Sequence, residues 1–153
     1  MRENLESLYK KAVWIAQEAH KGQTDKGGNP YIEHPLHVAS QVETMELKII
    51  AVLHDTLEDS EMTAEDLLEE GFPEHIVEAV NVLTHADGNE EAYLEYIRRV
   101  SCNPMAAAVK RADLLHNMDM SRIQNPTEKD RKRRMKYEKA LNLLEELLAE
   151  NLQ

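Results

Sequence analysis

A histidine–aspartate pair in the segment Leu-His-Asp-Thr-Leu-Glu-Asp, residues 53–59, has the residue types that metal-dependent hydrolysis requires. His54 and Asp55 bring one imidazole and one carboxylate to the same point, and both groups bind divalent metals. Glu58 follows His54, and Asp59 follows Asp55, by four residues, so on a helix each pair shares a face. Carboxylates placed there can orient or deprotonate a water molecule beside the metal. Taken alone the dipeptide is common, and an exposed helix end with an incidental histidine is the simpler explanation.

Two further segments contain residues of the same chemical kind. His34 lies in Pro-Tyr-Ile-Glu-His-Pro, residues 30–35, at the start of an expected helix, where capping and packing are common roles. Asp113 lies in an apolar stretch, and a buried aspartate is unfavourable unless it is paired or binds a metal. Asn117 follows Asp113 by four residues and points to the same side of a helix. A helix-capping or salt-bridged aspartate is the alternative.

A glycine-rich loop, residues 20–30, contains groups suited to phosphate. It combines His20, Lys21 and Lys26 with three of the five glycines in the chain. Glycine backbone amides and lysine ammonium groups suit phosphate oxygens. The spacing does not match the Walker pattern, which excludes a P-loop. A flexible turn without a ligand is the alternative.

The four segments, taken together and in this order, resemble the HD-domain metal phosphohydrolase superfamily. The most similar branch contains the hydrolase domains of RelA/SpoT-type stringent-response enzymes and the small stand-alone alarmone hydrolases. The similarity spans residues 10–125. It implies an all-α fold, a compact bundle of about 8–10 helices. It also implies removal of pyrophosphate from the 3′ position of guanosine tetra- or pentaphosphate.

The resemblance implies a role for each motif residue. One divalent metal, usually Mn²⁺ in this branch, would bind two imidazoles and two carboxylates: His34, His54, Asp55 and Asp113. This set leaves room on a six-coordinate metal for water and a phosphate oxygen. An acidic pair, Glu58 and Asp59, would activate the attacking water, and which of the two is the base stays open. The expected substrate contacts are Lys26, Asn117, His20, Lys21 and Lys110.

Two positions depart from the family pattern. Asp25 stands where alarmone hydrolases usually carry an arginine that stacks on guanine, and Leu114 replaces an arginine after the late metal aspartate. An aspartate cannot stack as a guanidinium does, and it repels phosphate. The sequence therefore predicts a metal-dependent hydrolase of a small phosphorylated nucleotide, with an alarmone as the first candidate. A phosphomonoesterase acting on another small phosphate ester and a non-catalytic nucleotide-binding module are the alternatives.

Helical periodicity predicts the elements that position these residues. Trp14 is expected in the core of the first helix, and Tyr93 and Tyr96 are expected to pack inside. N-cap patterns at Thr63 and Asn103 mark two helix starts. The eight expected helices cover residues 3–20, 36–43, 46–58, 63–71, 74–84, 90–101, 103–117 and 127–152. We expect one domain over residues 1–153, too short to include a synthetase domain.

The formal net charge of -11, from 18 basic and 29 acidic residues, argues against long nucleic acid as a partner. Residues 121–140 reverse this balance with 8 basic and 3 acidic side chains. The run from Arg131 to Arg134 lies among acidic residues, so it is interpreted as the charged outer face of a helix.

Several predictions concern the surroundings of the domain and its remaining histidines. No apolar run is long enough to cross a membrane, and the N-terminus does not resemble a signal peptide. The single cysteine, Cys102, fits a reducing cytoplasm. The leucine-rich final helix is expected to dock either on its own domain or on a second copy of the chain. A homo-oligomer is therefore one of the two expectations. His116 is expected to pack near the late motif or to support the metal ligands, and His75 and His85 to be exposed.

Overall fold

A computed structural model describes residues 4–25, 27–84 and 88–151. Lys26 and His85 lie outside the described residues, so the predictions made for them stay predictions. The described chain contains no β-strand, and the all-α prediction is confirmed. The described helices are α1 (Leu5–Ala19), α2 (Glu33–Ser40), α3 (Met45–Leu53), α4 (Thr56–Asp59), α5 (Ala64–Glu69), α6 (Glu74–Leu83), α7 (Glu90–Ser101), α8 (Pro104–Met118), a 3₁₀ turn (Met120–Arg122) and α9 (Glu128–Asn151).

Helix α3 runs through the centre of the molecule. Its last five residues, Ile49 to Leu53, are all completely buried. Helices α1, α2, α6 and α8 pack around it. A helical segment that is apolar on every side is stable only when it is covered on every side, and the last five residues of α3 meet that condition. The residues that follow α3 therefore begin inside the molecule.

The predicted helix over residues 46–58 is wrong as one continuous helix. Helix α3 ends at Leu53, and α4 begins at Thr56. The ring nitrogen Nδ1 of His54 lies 2.5 Å from the Ala51 carbonyl oxygen, so a side chain takes up a carbonyl at the end of α3. The Asp59 amide still donates to the Asp55 carbonyl at 3.1 Å, which keeps these two residues one turn apart. The interruption places His54 and Asp55 at the inner end of a buried helix.

Helix α9 docks on its own domain. Ala140, Leu141 and Leu144 are buried where α9 packs across α7 and α8. Much of the remaining surface of α9 is charged, with ion pairs such as Arg131 to Glu128 at 3.5 Å. Within the described residues, no helix combines the length and the apolar character that crossing a bilayer requires.

The core prediction for Trp14 is wrong, because 62% of this side chain is exposed. The buried residues of α1 are Leu8, Ala12, Ile15 and Ala16, which follow one stripe at three- and four-residue steps. Trp14 precedes Ile15 by one residue, so it lies about 100° around the helix from Ile15 and farther still from the centre of the stripe. The periodicity of α1 decides the position of Trp14 more strongly than the usual preference of tryptophan for the interior. The two tyrosines Tyr93 and Tyr96 are buried as predicted.

Candidate metal centre

Three buried side chains from three helices meet at one point. His34 comes from α2, His54 from the end of α3 and Asp113 from α8. One potential ligand atom from each of them lies within 4.8 Å of the others. Oδ1 of Asp113 is 2.7 Å from Nε2 of His34 and 3.3 Å from Nε2 of His54. The α2, α3 and α8 packing thus brings together residues that are far apart in the sequence.

Asp55 adds a second carboxylate to this group, and Tyr31 fixes its orientation. Oδ2 of Asp55 lies 3.2 Å from Nε2 of His54. The Tyr31 hydroxyl donates to the same Asp55 oxygen at 2.5 Å. Burial raises the pKa of Tyr31, and the neighbouring Asp55 carboxylate raises it further, so the hydroxyl stays protonated and remains a donor. His34, His54, Asp55 and Asp113 form what we call the four-ligand cluster.

His54 has the hydrogen bonding of a metal ligand. Its Nδ1 faces the Ala51 carbonyl, so a proton belongs on that nitrogen, and Nε2 is the atom that would offer its lone pair to a metal. Nε2 is completely buried and makes no hydrogen bond in the described structure, although Asp55 and Asp113 are close to it. A buried ring nitrogen without a donor, facing two carboxylates, is a position for a cation. The donor set therefore fits a divalent metal.

The electrostatics of the cluster keep its carboxylates ionised. Burial alone would raise the pKa of Asp113, but the Lys110 ammonium and the two histidine rings outweigh burial and hold that pKa well below its usual range. Lys110 is itself buried, and its Nζ lies 2.9 Å from Oδ2 of Asp113. Burial opposes the charge of Lys110, but Asp113 outweighs this and raises the lysine pKa well above its usual value. Lys110, predicted to contact phosphate, is therefore engaged by a ligand carboxylate.

The predicted acidic pair lies on α4, directly after the cluster. Asp59 and Glu58 are both largely exposed. Oδ2 of Asp59 lies 3.2 Å from Nδ1 of His20, whose side chain is completely buried. Burial raises the pKa of Asp59, and the negative charge of Asp55 raises it further. The His20 side chain, predicted to contact phosphate, is therefore buried beside Asp59 of the acidic pair.

His116 contacts the outer side of His34. The Nδ1 atoms of the two rings lie 2.7 Å apart, so one of them donates to the other. The two rings are nearly parallel at a centroid distance of 4.9 Å, and the His37 ring also stacks on His116 at 3.9 Å. Metal-ligating histidines usually have such a hydrogen-bond partner on their second nitrogen. Of the two roles that the sequence left open for His116, support of a ligand is the one this contact favours.

Two cavities meet at the cluster. The larger, of about 430 Å³, lies between the glycine-rich loop and α9, and the smaller, of about 220 Å³, lies over the four ligands. Both are bordered by Tyr31, His34, Asn117 and Tyr137. The Asn117 amide also donates to Oδ1 of Asp113 at 3.2 Å, as their four-residue spacing predicts. Lys21 is exposed and lines neither cavity.

The glycine-rich loop is a hydrogen-bonded turn. Oδ1 of Asp25 accepts from the amides of Gly27 and Asn29, at 2.8 and 3.0 Å. The backbone of Asp25 pairs with Asn29 as well, and the Tyr31 amide donates to the Gln23 carbonyl at 2.9 Å. Asp25 therefore shapes the wall of the larger cavity and helps to bring Tyr31 to the cluster.

Arg133, Arg134 and Tyr31 are among the site residues that the sequence did not predict. Arg133 and Arg134 line the larger cavity from α9, although their run was interpreted as an outer face. The reversal of charge balance in residues 121–140 was the available signal for them. For Tyr31 the local sign is an aromatic hydroxyl two residues before the start of α2, and its contact with Asp55 is seen only in the folded chain.

The comparisons with known proteins agree with this geometry. A family profile described as "HD domain" matches residues 12–143. The chain belongs to the HD domain family. A "Probable GTP pyrophosphokinase" of Mycobacterium leprae is 36% identical over 138 residues, which are 84% of this chain and 18% of that protein. The predicted family resemblance is confirmed.

Two other relatives of this HD domain carry names that mention the alarmone. The "Guanosine-3′,5′-bis(diphosphate) 3′-pyrophosphohydrolase" of Haemophilus influenzae is 34% identical over 81% of this chain and 20% of that protein. The "Bifunctional (p)ppGpp synthase/hydrolase SpoT" of Escherichia coli is 32% identical over 84% of this chain and 20% of that protein. The chain thus spans about a fifth of the length of the curated relatives it matches.

A solved structure shares the HD fold along nearly the whole chain. It is described as a metazoan ortholog of SpoT that hydrolyzes ppGpp and plays a role in starvation responses. The TM-score is 0.74 at 22% identity, with 94% of this chain and 93% of that chain covered. At this identity the likeness supports the fold, a multi-helix bundle of the HD type, and nothing beyond it.

Proposed function

We propose that this HD domain is a metal-dependent hydrolase that removes pyrophosphate from the 3′ position of guanosine tetra- or pentaphosphate. The observation that carries the proposal is the buried Nε2 of His54, which makes no hydrogen bond and faces the carboxylates of Asp55 and Asp113. The names of the H. influenzae and E. coli relatives supply the substrate class. The proposal treats residues 1–153 as one hydrolase domain. A cytoplasmic location and self-association stay predictions from the sequence.

The residues that would hold the metal are His34, His54, Asp55 and Asp113, and Mn²⁺ is the proposed ion. When bound, a divalent ion polarises the phosphate and lowers the pKa of a nearby water molecule. Tyr31 holds Asp55, and Lys110 and Asn117 hold Asp113, so both carboxylates keep their orientation before substrate arrives. Such preorganisation means that little rearrangement is needed during the reaction.

Asp59 is the proposed base for the attacking water. Its carboxylate is oriented by His20, and its raised pKa makes it a better proton acceptor than an ordinary surface aspartate. The water oxygen bonds to the phosphorus nearest the ribose, and the bond between that phosphorus and the 3′ oxygen breaks. Asp59 takes the water proton, the 3′ oxygen gains a proton, and pyrophosphate is released.

The larger cavity is the proposed place for the nucleoside and its 5′ phosphates. Arg133 and Arg134 bring positive charge to it, which suits phosphate oxygens. Asp25 lies in the same wall, and this position favours a second candidate function, a phosphomonoesterase that acts on a smaller phosphate ester. The two candidates differ in product, because the first releases pyrophosphate and the second releases orthophosphate.

A product-resolved assay separates the two candidates. Protein equilibrated with Mn²⁺ is incubated with guanosine tetraphosphate and, separately, with nucleoside monophosphates, and the products are separated by anion exchange. We expect guanosine diphosphate and pyrophosphate from the first substrate. Asp59→Asn should lower the rate by about 10²–10⁴-fold, whereas Glu69→Gln, an exposed acid on α5, should not. Orthophosphate as the only product would establish the phosphomonoesterase, and no product under any metal tested would reject both.

A further inference from the structure

Two lysines approach one pair of tyrosines in the smaller cavity. Nζ of Lys110 lies 5.3 Å from the ring centroid of Tyr96 and 5.8 Å from that of Tyr93. Nζ of Lys136 lies 4.3 Å from the Tyr93 centroid. An ammonium within about 6 Å of a ring face is attracted to it, so the Tyr93 ring helps to hold both charges over the cavity.

The two ammonium groups differ in their partners. Lys110 is paired with Asp113 at 2.9 Å, and this ion pair neutralises it. Lys136 comes from α9, is half-buried, and forms no ion pair with a carboxylate among residues 4–25, 27–84 and 88–151. The positive charge of Lys136 is therefore the one in the smaller cavity that a ligand can use.

The walls of the two cavities differ in charge as well as in size. The larger cavity, of about 430 Å³, has the carboxylates of Asp25, Asp119 and Asp130 in its wall. Among the described residues, the carboxylates that line the smaller cavity, of about 220 Å³, are the two of the four-ligand cluster. With a divalent cation at the cluster, the smaller cavity becomes positive, since the ion is the largest local charge. A ligand that occupies both cavities would therefore place its most anionic part in the smaller one.

We propose that the smaller cavity binds the pyrophosphoryl group of the substrate, and that Lys136 contacts its second phosphate. This inference rests on the proposed function, because it assigns the two ends of that substrate to the two cavities. The first phosphate lies at the cluster, where water attacks it. The second phosphate carries its own negative charge and needs its own cation, which Lys136 supplies. Lys136 is then the residue that distinguishes a pyrophosphoryl group from a single phosphate.

Binding of the two inorganic products tests this assignment without turnover. Affinities for inorganic pyrophosphate and inorganic orthophosphate are measured by calorimetry on the Mn²⁺-equilibrated protein at fixed free Mn²⁺, for the wild type and for Lys136→Gln. The matched control is Lys139→Gln. Lys139 lies three residues after Lys136 on α9, is exposed, and is paired with Glu90 at 2.9 Å. Lys136→Arg keeps the charge and serves as the second variant.

We expect Lys136→Gln to weaken pyrophosphate binding about tenfold and orthophosphate binding by less than about twofold, the loss of one charged contact. Lys136→Arg should retain most of the pyrophosphate affinity, and Lys139→Gln should equal the wild type. Unchanged pyrophosphate affinity in Lys136→Gln would overturn the assignment, as would an equal loss for both anions. If Lys136→Gln does not fold, the wild-type protein decides instead, because an affinity for pyrophosphate less than about threefold above that for orthophosphate would contradict a second phosphate contact.

Failure of the proposed function has a different signature. A wild type that binds pyrophosphate through Lys136 but does not hydrolyse guanosine tetraphosphate would leave this assignment standing and reject the substrate. A wild type that hydrolyses guanosine tetraphosphate with no change in Lys136→Gln, in either KM or pyrophosphate affinity, would reject the assignment and leave the function standing.

Discussion

The ligand side of the site, from α2, α3 and α8, and the α9 side use their charges in opposite ways. On the ligand side the charges are buried and engage one another, as Lys110 and Asp113 do at 2.9 Å. On the α9 side, Arg133 and Arg134 are partly exposed and are paired with acids of the same helix, at 3.2 and 3.3 Å. A fixed buried cluster suits a cation that stays, whereas partly exposed arginines suit an anion that arrives and leaves. Mutations on the first side should therefore affect stability and metal binding, and mutations on the second side should affect substrate affinity.

The largest effect is expected for Asp113→Asn. This change removes a ligand carboxylate and leaves the Lys110 ammonium buried without a counter-charge, so the free energy of unfolding should fall by about 3–5 kcal/mol. Metal binding and hydrolysis should be lost as well. Urea unfolding of the metal-free protein, metal analysis and the product assay measure the three effects.

The double variant Asp113→Asn with Lys110→Met is the control for that prediction. Removing the orphaned ammonium should recover much of the lost stability but none of the metal binding. Equal stabilities of the single and double variants would mean that the unpaired Lys110 ammonium is not what destabilises Asp113→Asn.

A smaller effect on the same side is expected for Tyr31→Phe. This change removes only the hydroxyl that donates to Asp55, and partners of metal ligands typically contribute about 10–100-fold to metal affinity or activity. Calorimetric titration with Mn²⁺ measures it. Tyr9→Phe, on α1, is the matched control, and an Mn²⁺ affinity of Tyr31→Phe equal to that control would remove Tyr31 from the site.

On the α9 side, Arg133→Gln should raise the KM for guanosine tetraphosphate about tenfold, the effect of one charged contact, with kcat nearly unchanged. Arg131→Gln is the control, because Arg131 lies on the same helix, is exposed and pairs with Glu128. Steady-state kinetics give both constants. A fall in kcat with constant KM would erase the proposed difference between the two sides.

The smallest effect is expected for Trp14→Ala, which sets the baseline for an exposed helix surface. With 62% of the side chain exposed, the free energy of unfolding should change by about 0.5 kcal/mol or less. Urea unfolding measures the change, followed by the fluorescence of Tyr residues or by circular dichroism. A loss of several kcal/mol would mean that Trp14 is packed after all.

The sequence predicted what depends on local spacing. Asp113 and Asn117 are four residues apart, and the predicted shared face is observed as a hydrogen bond of 3.2 Å. Asn103 caps α8 as predicted, with its side chain accepting from Met105 and Ala106. These features need only helix geometry, and so they are readable from the order of the residues.

The features that escaped prediction depend on packing between distant segments. Helical spacing alone does not say which face of α9 turns toward α8, so Arg133 and Arg134 were interpreted as surface. The break after α3 depends on the contact between the His54 ring and the Ala51 carbonyl, which helix propensities do not take into account. Lys110 was predicted as a phosphate contact because its charge is visible in the sequence, whereas its pairing with Asp113 requires the folded helix and its burial.

We propose that the four-ligand cluster holds one divalent metal and that hydrolysis requires this metal. The most direct test strips the protein with a chelator, titrates Mn²⁺ back by calorimetry, and follows hydrolysis of guanosine tetraphosphate in the same samples. We expect one bound Mn²⁺ per chain, with pyrophosphate release rising in parallel with occupancy. Hydrolysis that persists after stripping, or Mn²⁺ binding that survives in Asp113→Asn, would contradict it.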